Sequence, residues 1–176
     1  MKIKTKMKAE KLTREELLLR MAEAYYKLLK AVALLLNDKD IEAGIREGLN
    51  KFLPNLCISL VGKLETDYYS EAALEKIKKD DCKNLIYEHM VPKSIYQDEI
   101  IDDFKVGNIK NAGDIKAVLA KYWYVATTTS GENKKLNPQR SIPENWDKQD
   151  IFVRYTAIRN CLKARAECRE ADFPVK

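Results

Sequence analysis

The chain is poor in the residues that most often build metal and catalytic sites. Its 176 residues include one histidine, His89, and four cysteines, Cys57, Cys82, Cys161 and Cys168. No two cysteines stand in Cys-x-x-Cys spacing and no second histidine joins them, which argues against zinc. A chain of this length can bury a core without cross-links, so the four are expected to be reduced and structural, as in a cytoplasmic protein. Cys161 and Cys168 would share one face of a helix. Uncharged apolar runs are missing too. Residues 17–36 are strongly apolar, yet Arg20, Glu23, Lys27 and Lys30 interrupt them every three or four positions, which excludes a membrane span. The lysine-rich start has no apolar stretch and cleavage site after it, so no signal peptide is expected. There is no internal repeat, and no low-complexity segment beyond that start.

What remains is a composition of 34% charged and 45% hydrophobic residues, expected for a globular, helix-rich chain with one domain or one core and a helical appendage. The net charge of +5 is compatible with nucleic acid without requiring it. Lys2, Lys4, Lys6, Lys8 and Lys11 against Glu10 read either as a frayed, solvated tail or as an arm following a phosphate backbone.

Thr13-Arg14-Glu15-Glu16 is a capping box, and the dense stripe Leu17, Leu18, Met21, Tyr25, Leu28, Leu29, Val32 and Leu36 predicts one long helix after it. Leu34 and Leu35 widen that stripe, which calls for burial on two sides, inside the domain or against a second copy. Ile41, Ile45, Leu49 and Phe52 mark a second helix, expected to end at Pro54. Leu56, Ile58 and Leu60 fit strand or helix equally. Ser70 caps a short helix to about Lys79. Ser94-Ile95-Tyr96-Gln97 reads as another capping box, opening a helix that carries Ile100, Ile101 and Phe104. Asn111 to Asp114 is a turn and cap before one or two helical turns with Ile115, Val118 and Leu119. Tyr122–Thr129 reads as a strand, Glu132 to Asn137 as a short helix ended by Pro138, and residues 138–150 as a loop. Asp150 should cap a last helix through Phe152, Tyr155, Ile158, Arg159 and Leu162 to about residue 170.

Two segments carry chemistry. Ile86-Tyr87-Glu88-His89-Met90-Val91-Pro92 sets a carboxylate beside an imidazole at the end of an apolar, β-prone run. Neighbours on a strand point to opposite faces, so a bulge before Pro92 would be needed to bring both into one cleft. The second segment, Tyr122-Trp123-Tyr124-Val125-Ala126-Thr127-Thr128-Thr129, feeds Ser130-Gly131-Glu132-Asn133-Lys134-Lys135-Leu136-Asn137. A phosphodiesterase needs a base for water and positive charge near the phosphate oxygens. The plainer readings are a surface Glu-His pair, acids favoured in a first helical turn, a solvated face for Lys134, Lys135 and Arg140, and packing roles for Trp123 and Trp146.

Tyr-Glu-His-x-Val-Pro, a strand rich in Tyr, Val and Thr, and Glu-Asn-x-x-Leu-Asn together resemble an HNH endonuclease with its ββα-metal fold, over roughly residues 84–160. The run Ile142-Pro143-Glu144-Asn145-Trp146-Asp147, followed by Ile151-Phe152-Val153-Arg154-Tyr155, also resembles the tail of HNH-like proteins from bacterial and phage defence contexts. The helical periodicities above, with the finger that the likeness implies, predict an α+β, mostly helical fold. A helical region of residues 1–80 would serve dimerisation or substrate docking. Residues 81–176 would hold the finger, built from residues 84–90, 122–129 and 131–137, with a helical insertion between its strands and a closing C-terminal helix. The likeness further implies His89 as general base, Glu88 as a metal ligand or a group behind one, and Asn133 as the other ligand, with Glu132 as a substitute. Water would attack phosphorus while one Mg²⁺ or Mn²⁺ ion, suited to hard oxygen ligands, stabilises the leaving 3′-oxygen. Lys93, Lys134, Lys135 and Arg140 would contact nucleic acid, DNA rather than RNA. The segment Lys93 to Lys121 is longer than the family's usual loop, and the family's second histidine is absent. The competing expectation is a non-catalytic module on a degenerate HNH scaffold that binds nucleic acid or protein and self-associates through its apolar first helix.

Overall fold

The computed structural model describes residues 12–136 and 142–168; the lysine-rich start, Asn137, Pro138 and Arg140 lie outside the described residues. The first helix begins as the Thr-x-x-Glu spacing requires. Thr13 Oγ1 accepts from the Glu16 amide at 3.2 Å, and the Glu16 carboxylate accepts from the Thr13 amide at 2.8 Å. Helix α1 (Arg14–Val32) buries Leu18, Met21, Ala22, Tyr25 and Leu29 on one stripe. It packs against α2 (Glu42–Val61) and α5 (Ala112–Tyr122). Between them run β1 (Tyr68–Ser70), α3 (Glu71–Lys78), β2 (Leu85–His89) and α4 (Lys93–Lys105). After α5 come β3 (Val125–Thr129), the single turn α6 (Ser130–Asn133) and β4 (Leu162–Ala164).

The fold is α+β and mostly helical, with one small mixed sheet in the order β2-β3-β1-β4. β2 and β3 are antiparallel, from Leu85 opposite Thr129 to His89 opposite Val125. β1 runs parallel to β3, and β4 antiparallel to β1. Strand alternation gives the sheet two distinct faces. Tyr87 and His89 face the main core of α1, α2, α4 and α5, where Cys57, Tyr96 and Trp123 are buried, while Leu85 on the same strand face packs with Tyr69, Ala73, Leu74 and Ile77. Ile86 and Glu88 face the other way, toward a second cluster that joins Ala126 and Met90 to Leu136, Tyr155 and Ile158. Residues 1–80 and 81–176 therefore share one sheet and one main core. Among the described residues no helix is long and apolar enough to cross a membrane.

Several elements depart from the sequence reading. Pro54 does not end α2 but lies inside it. Leu53 and Cys57, four apart, are both buried on its inner face, and that burial outweighs the roughly 3 kcal/mol that an interior proline costs. Leu56, Ile58 and Leu60 are accordingly helical. The box expected at Ser94 is absent: α4 starts at Lys93, after Pro92, with no side-chain cap. Tyr122 closes α5, so β3 is shorter than the run Tyr122–Thr129. The caps at Ser70 and at Asn111 with Asp114 are as expected.

The C-terminal helix does not form. From Asp150 the amides of Val153, Tyr155, Ile158 and Cys161 each bond the carbonyl three residues back, a chain of tight turns rather than an α-helix. A period of three keeps Phe152, Tyr155 and Ile158 on one side, against the sheet face that carries Glu88. A short strand β4 and a 3₁₀ turn, Arg165–Glu167, follow. Cys161 and Cys168 thus share no helix, and of the four cysteines Cys57 alone is fully buried.

Candidate functional site

The β2–β3 ladder is regular through its last pair, and the Met90 amide continues it by bonding Tyr124 O at 2.9 Å. No bulge turns Glu88 and His89 into one cleft, so they occupy opposite faces of the sheet. This corrects the expectation that the two groups act side by side.

His89 is 8% exposed, and its ring is boxed by aromatics. Trp123 and Tyr87 present edges at centroid distances of 4.8 and 5.7 Å. The Tyr96 hydroxyl stands 3.2 Å from Nδ1. Nε2 is screened from solvent and has no hydrogen-bond partner. With Nδ1–H donating to the Tyr96 oxygen, Nε2 bears the free lone pair that a base requires. Burial pushes the imidazole down to about 3, helped by the positive charges of Lys93 and Arg154, so the ring is neutral at physiological pH.

Glu88 points to the opposite face, where Arg154 Nη1 donates to Oε1 at 2.8 Å and to the His89 carbonyl at 3.0 Å. Arg154 was assigned no role from sequence. The signal was there: a charge inside Phe152-Val153-Arg154-Tyr155 must find a partner if that run is buried. Burial and the nearby Glu88 charge push the Tyr155 phenol up, so its hydroxyl is neutral.

Helix α6 packs against both β2 and β3. Its start is tied to the beginning of β2 by the Ser130 amide, which bonds Asn84 O at 2.9 Å. The chain then folds back until Leu136 packs with Ala126, the cross-strand partner of Glu88. Asn133 Oδ1 is screened from solvent and has no hydrogen-bond partner among the described residues. An amide oxygen left in this way is a hard acceptor of the kind that a divalent ion takes. Glu132 does not suit it. Its Oε2 already accepts from the Thr129 amide at 2.9 Å, the Thr129 hydroxyl at 2.8 Å and the Ser70 hydroxyl at 2.6 Å. Glu132→Ala should cost about 1–2 kcal/mol in urea denaturation through the lost cap, without changing Mn²⁺ affinity in a calorimetric titration. A loss of ion binding in the folded variant would make Glu132 a ligand after all.

Lys93 is half-buried at the start of α4, and its charge acts on His89. Lys134 and Lys135 are exposed just after α6, and Arg140 lies outside the described residues. Among the described residues, no three of histidine, cysteine, aspartate and glutamate come together to hold a metal. No family model, curated protein or solved structure matches the chain.

Proposed function

We propose that β2, β3 and α6 form a ββα-type finger and that the chain is an HNH-like, metal-dependent endonuclease acting on DNA. The observation that carries this reading is the order and packing of the three elements. An antiparallel pair ends its first strand on Glu88-His89, and its second strand runs directly into a helix that packs on both strands and carries an Asn133 oxygen without a partner among the described residues. In this reading Glu88 and Asn133 hold the ion, His89 is the base, and the end of β2 must turn on binding substrate to bring the two faces to one phosphodiester. A divalent ion bound there would supply positive charge to the phosphodiester oxygens. Lys134 and Lys135, exposed beside α6, would meet the backbone phosphates. Leu34, Leu35 and Ile41, all exposed between α1 and α2, would supply apolar contact for self-association through the N-terminal helices.

One observation favours a second reading, a non-catalytic module on a degenerate HNH scaffold. His89 is closed in on the face opposite Glu88, and Glu88 is already neutralised by Arg154. Plasmid nicking separates the two. The nuclease reading expects nicks with Mg²⁺ or Mn²⁺ and none with EDTA. Intact plasmid under every ion, with shifted mobility showing that DNA is bound, would leave the second.

A further inference from the structure

Arg154 is a cation built into the fold. It is 8% exposed, and the tight turns on either side of it anchor Phe152, Tyr155 and Ile158 against the sheet. Its Nη1 bridges the Glu88 carboxylate and the His89 carbonyl, at 2.8 and 3.0 Å. The guanidinium therefore spans the same two residues, Glu88 and His89, on which the sequence places the chemistry. A carboxylate inside a fold needs a compensating charge, and here the protein provides one from its own chain. We propose that the Arg154 guanidinium holds the place on Glu88 that a divalent ion would take, so that ion binding at Glu88 and the Arg154–Glu88 pair exclude each other. This rests on the reading of Glu88 as an ion ligand made above. Two cations within a few ångströms of one carboxylate repel each other, and the buried Arg154 cannot move aside into water without leaving its place in the fold. The ion must therefore displace the arginine, and the pair lowers affinity for it. Arg154 acts through Glu88 and is a positioning residue.

The test is equilibrium Mn²⁺ binding to the full chain without nucleic acid, read by calorimetry. Arg154→Met keeps the apolar stem and removes the charge, and should bind Mn²⁺ about tenfold tighter than wild type. Arg154→Lys, which keeps the charge, should stay near wild type. Adding Glu88→Gln to Arg154→Met should abolish the gain, which places the ion on Glu88. Should Arg154→Met fail to fold, the wild type gives the same answer by NMR. The Arg154 Nε–H signal, assigned through Arg154→Lys, should move as Mg²⁺ saturates the protein. Equal Mn²⁺ affinity in wild type and Arg154→Met, or an arginine signal unmoved at saturation, overturns the inference and leaves the ligand reading intact. Binding by neither protein overturns both.

Discussion

His89→Ala should lower metal-dependent DNA cleavage by roughly two to four orders of magnitude, the usual worth of a positioned general base. The chain holds no other imidazole, so no second residue of this type can take over. The ring is neutral, the Tyr96 hydroxyl stands against Nδ1, and Nε2 has no hydrogen-bond partner among the described residues. What stands against high activity is that the box of Trp123, Tyr87 and Tyr96 also suppresses basicity. Contact with water, which the reaction needs in any case, restores it, because burial is the main cause of the depression. His89→Gln fills more of the space and separates loss of the base from loss of packing. Both variants should be inactive with circular dichroism unchanged. Cleavage surviving in either would remove His89 as the base and, with it, the mechanism proposed here.

The parts of the fold that were legible in the sequence are those whose cause is local. The caps at Thr13, Ser70 and Asn111 each join atoms within three residues, so the pattern states the contact. β1 could not be read this way. Tyr68-Tyr69-Ser70 is too short for any period, and it pairs with residues of β3 more than fifty positions on. The C-terminal segment misleads for a different reason. Apolar residues at 152, 155 and 158 suit an α-helix and a run of 3₁₀ turns alike, and the sheet face decides between them. Pro54 shows tertiary burial overriding a local stop signal. At the site, the adjacency of Glu88 and His89 already implied opposite faces. Which face would become the core depended on contacts such as Tyr87 with Cys57, 30 positions away, and that Arg154 would cover the other depended on a residue 66 positions from Glu88. Gln97 remains without account: it is fully buried, with both amide atoms unpartnered.

Acid should destabilise this protein through His89, and the size is large for one residue. The folded imidazole titrates near 3 and the unfolded one near 6.5. Between those values the unfolded chain takes up a proton that the folded chain refuses, so stability rises with pH across the window. The contribution is complete above 6.5 and lost as pH falls toward 3. At about 1.4 kcal/mol per pH unit, wild type should lose roughly 2 kcal/mol from this group by pH 5, and roughly 4–5 by pH 3. Asp67 works in the opposite sense. Burial raises its carboxyl against the pull of Arg14, so the folded state protonates it first and gains stability as pH falls through that range. The measurement is therefore a difference: urea denaturation of wild type and His89→Phe at pH 7.5 and 5, with Asp67 unchanged in both. Phenylalanine keeps an aromatic ring among Trp123, Tyr87 and Tyr96 and has no proton to take up. Wild type should lose about 2 kcal/mol more than the variant over that interval. Parallel losses would mean that Nε2 already reaches water in the folded chain. That result would remove the enclosed ring as a reason to favour the non-catalytic reading, and it would leave His89 with the ordinary basicity that a hydrolytic base requires.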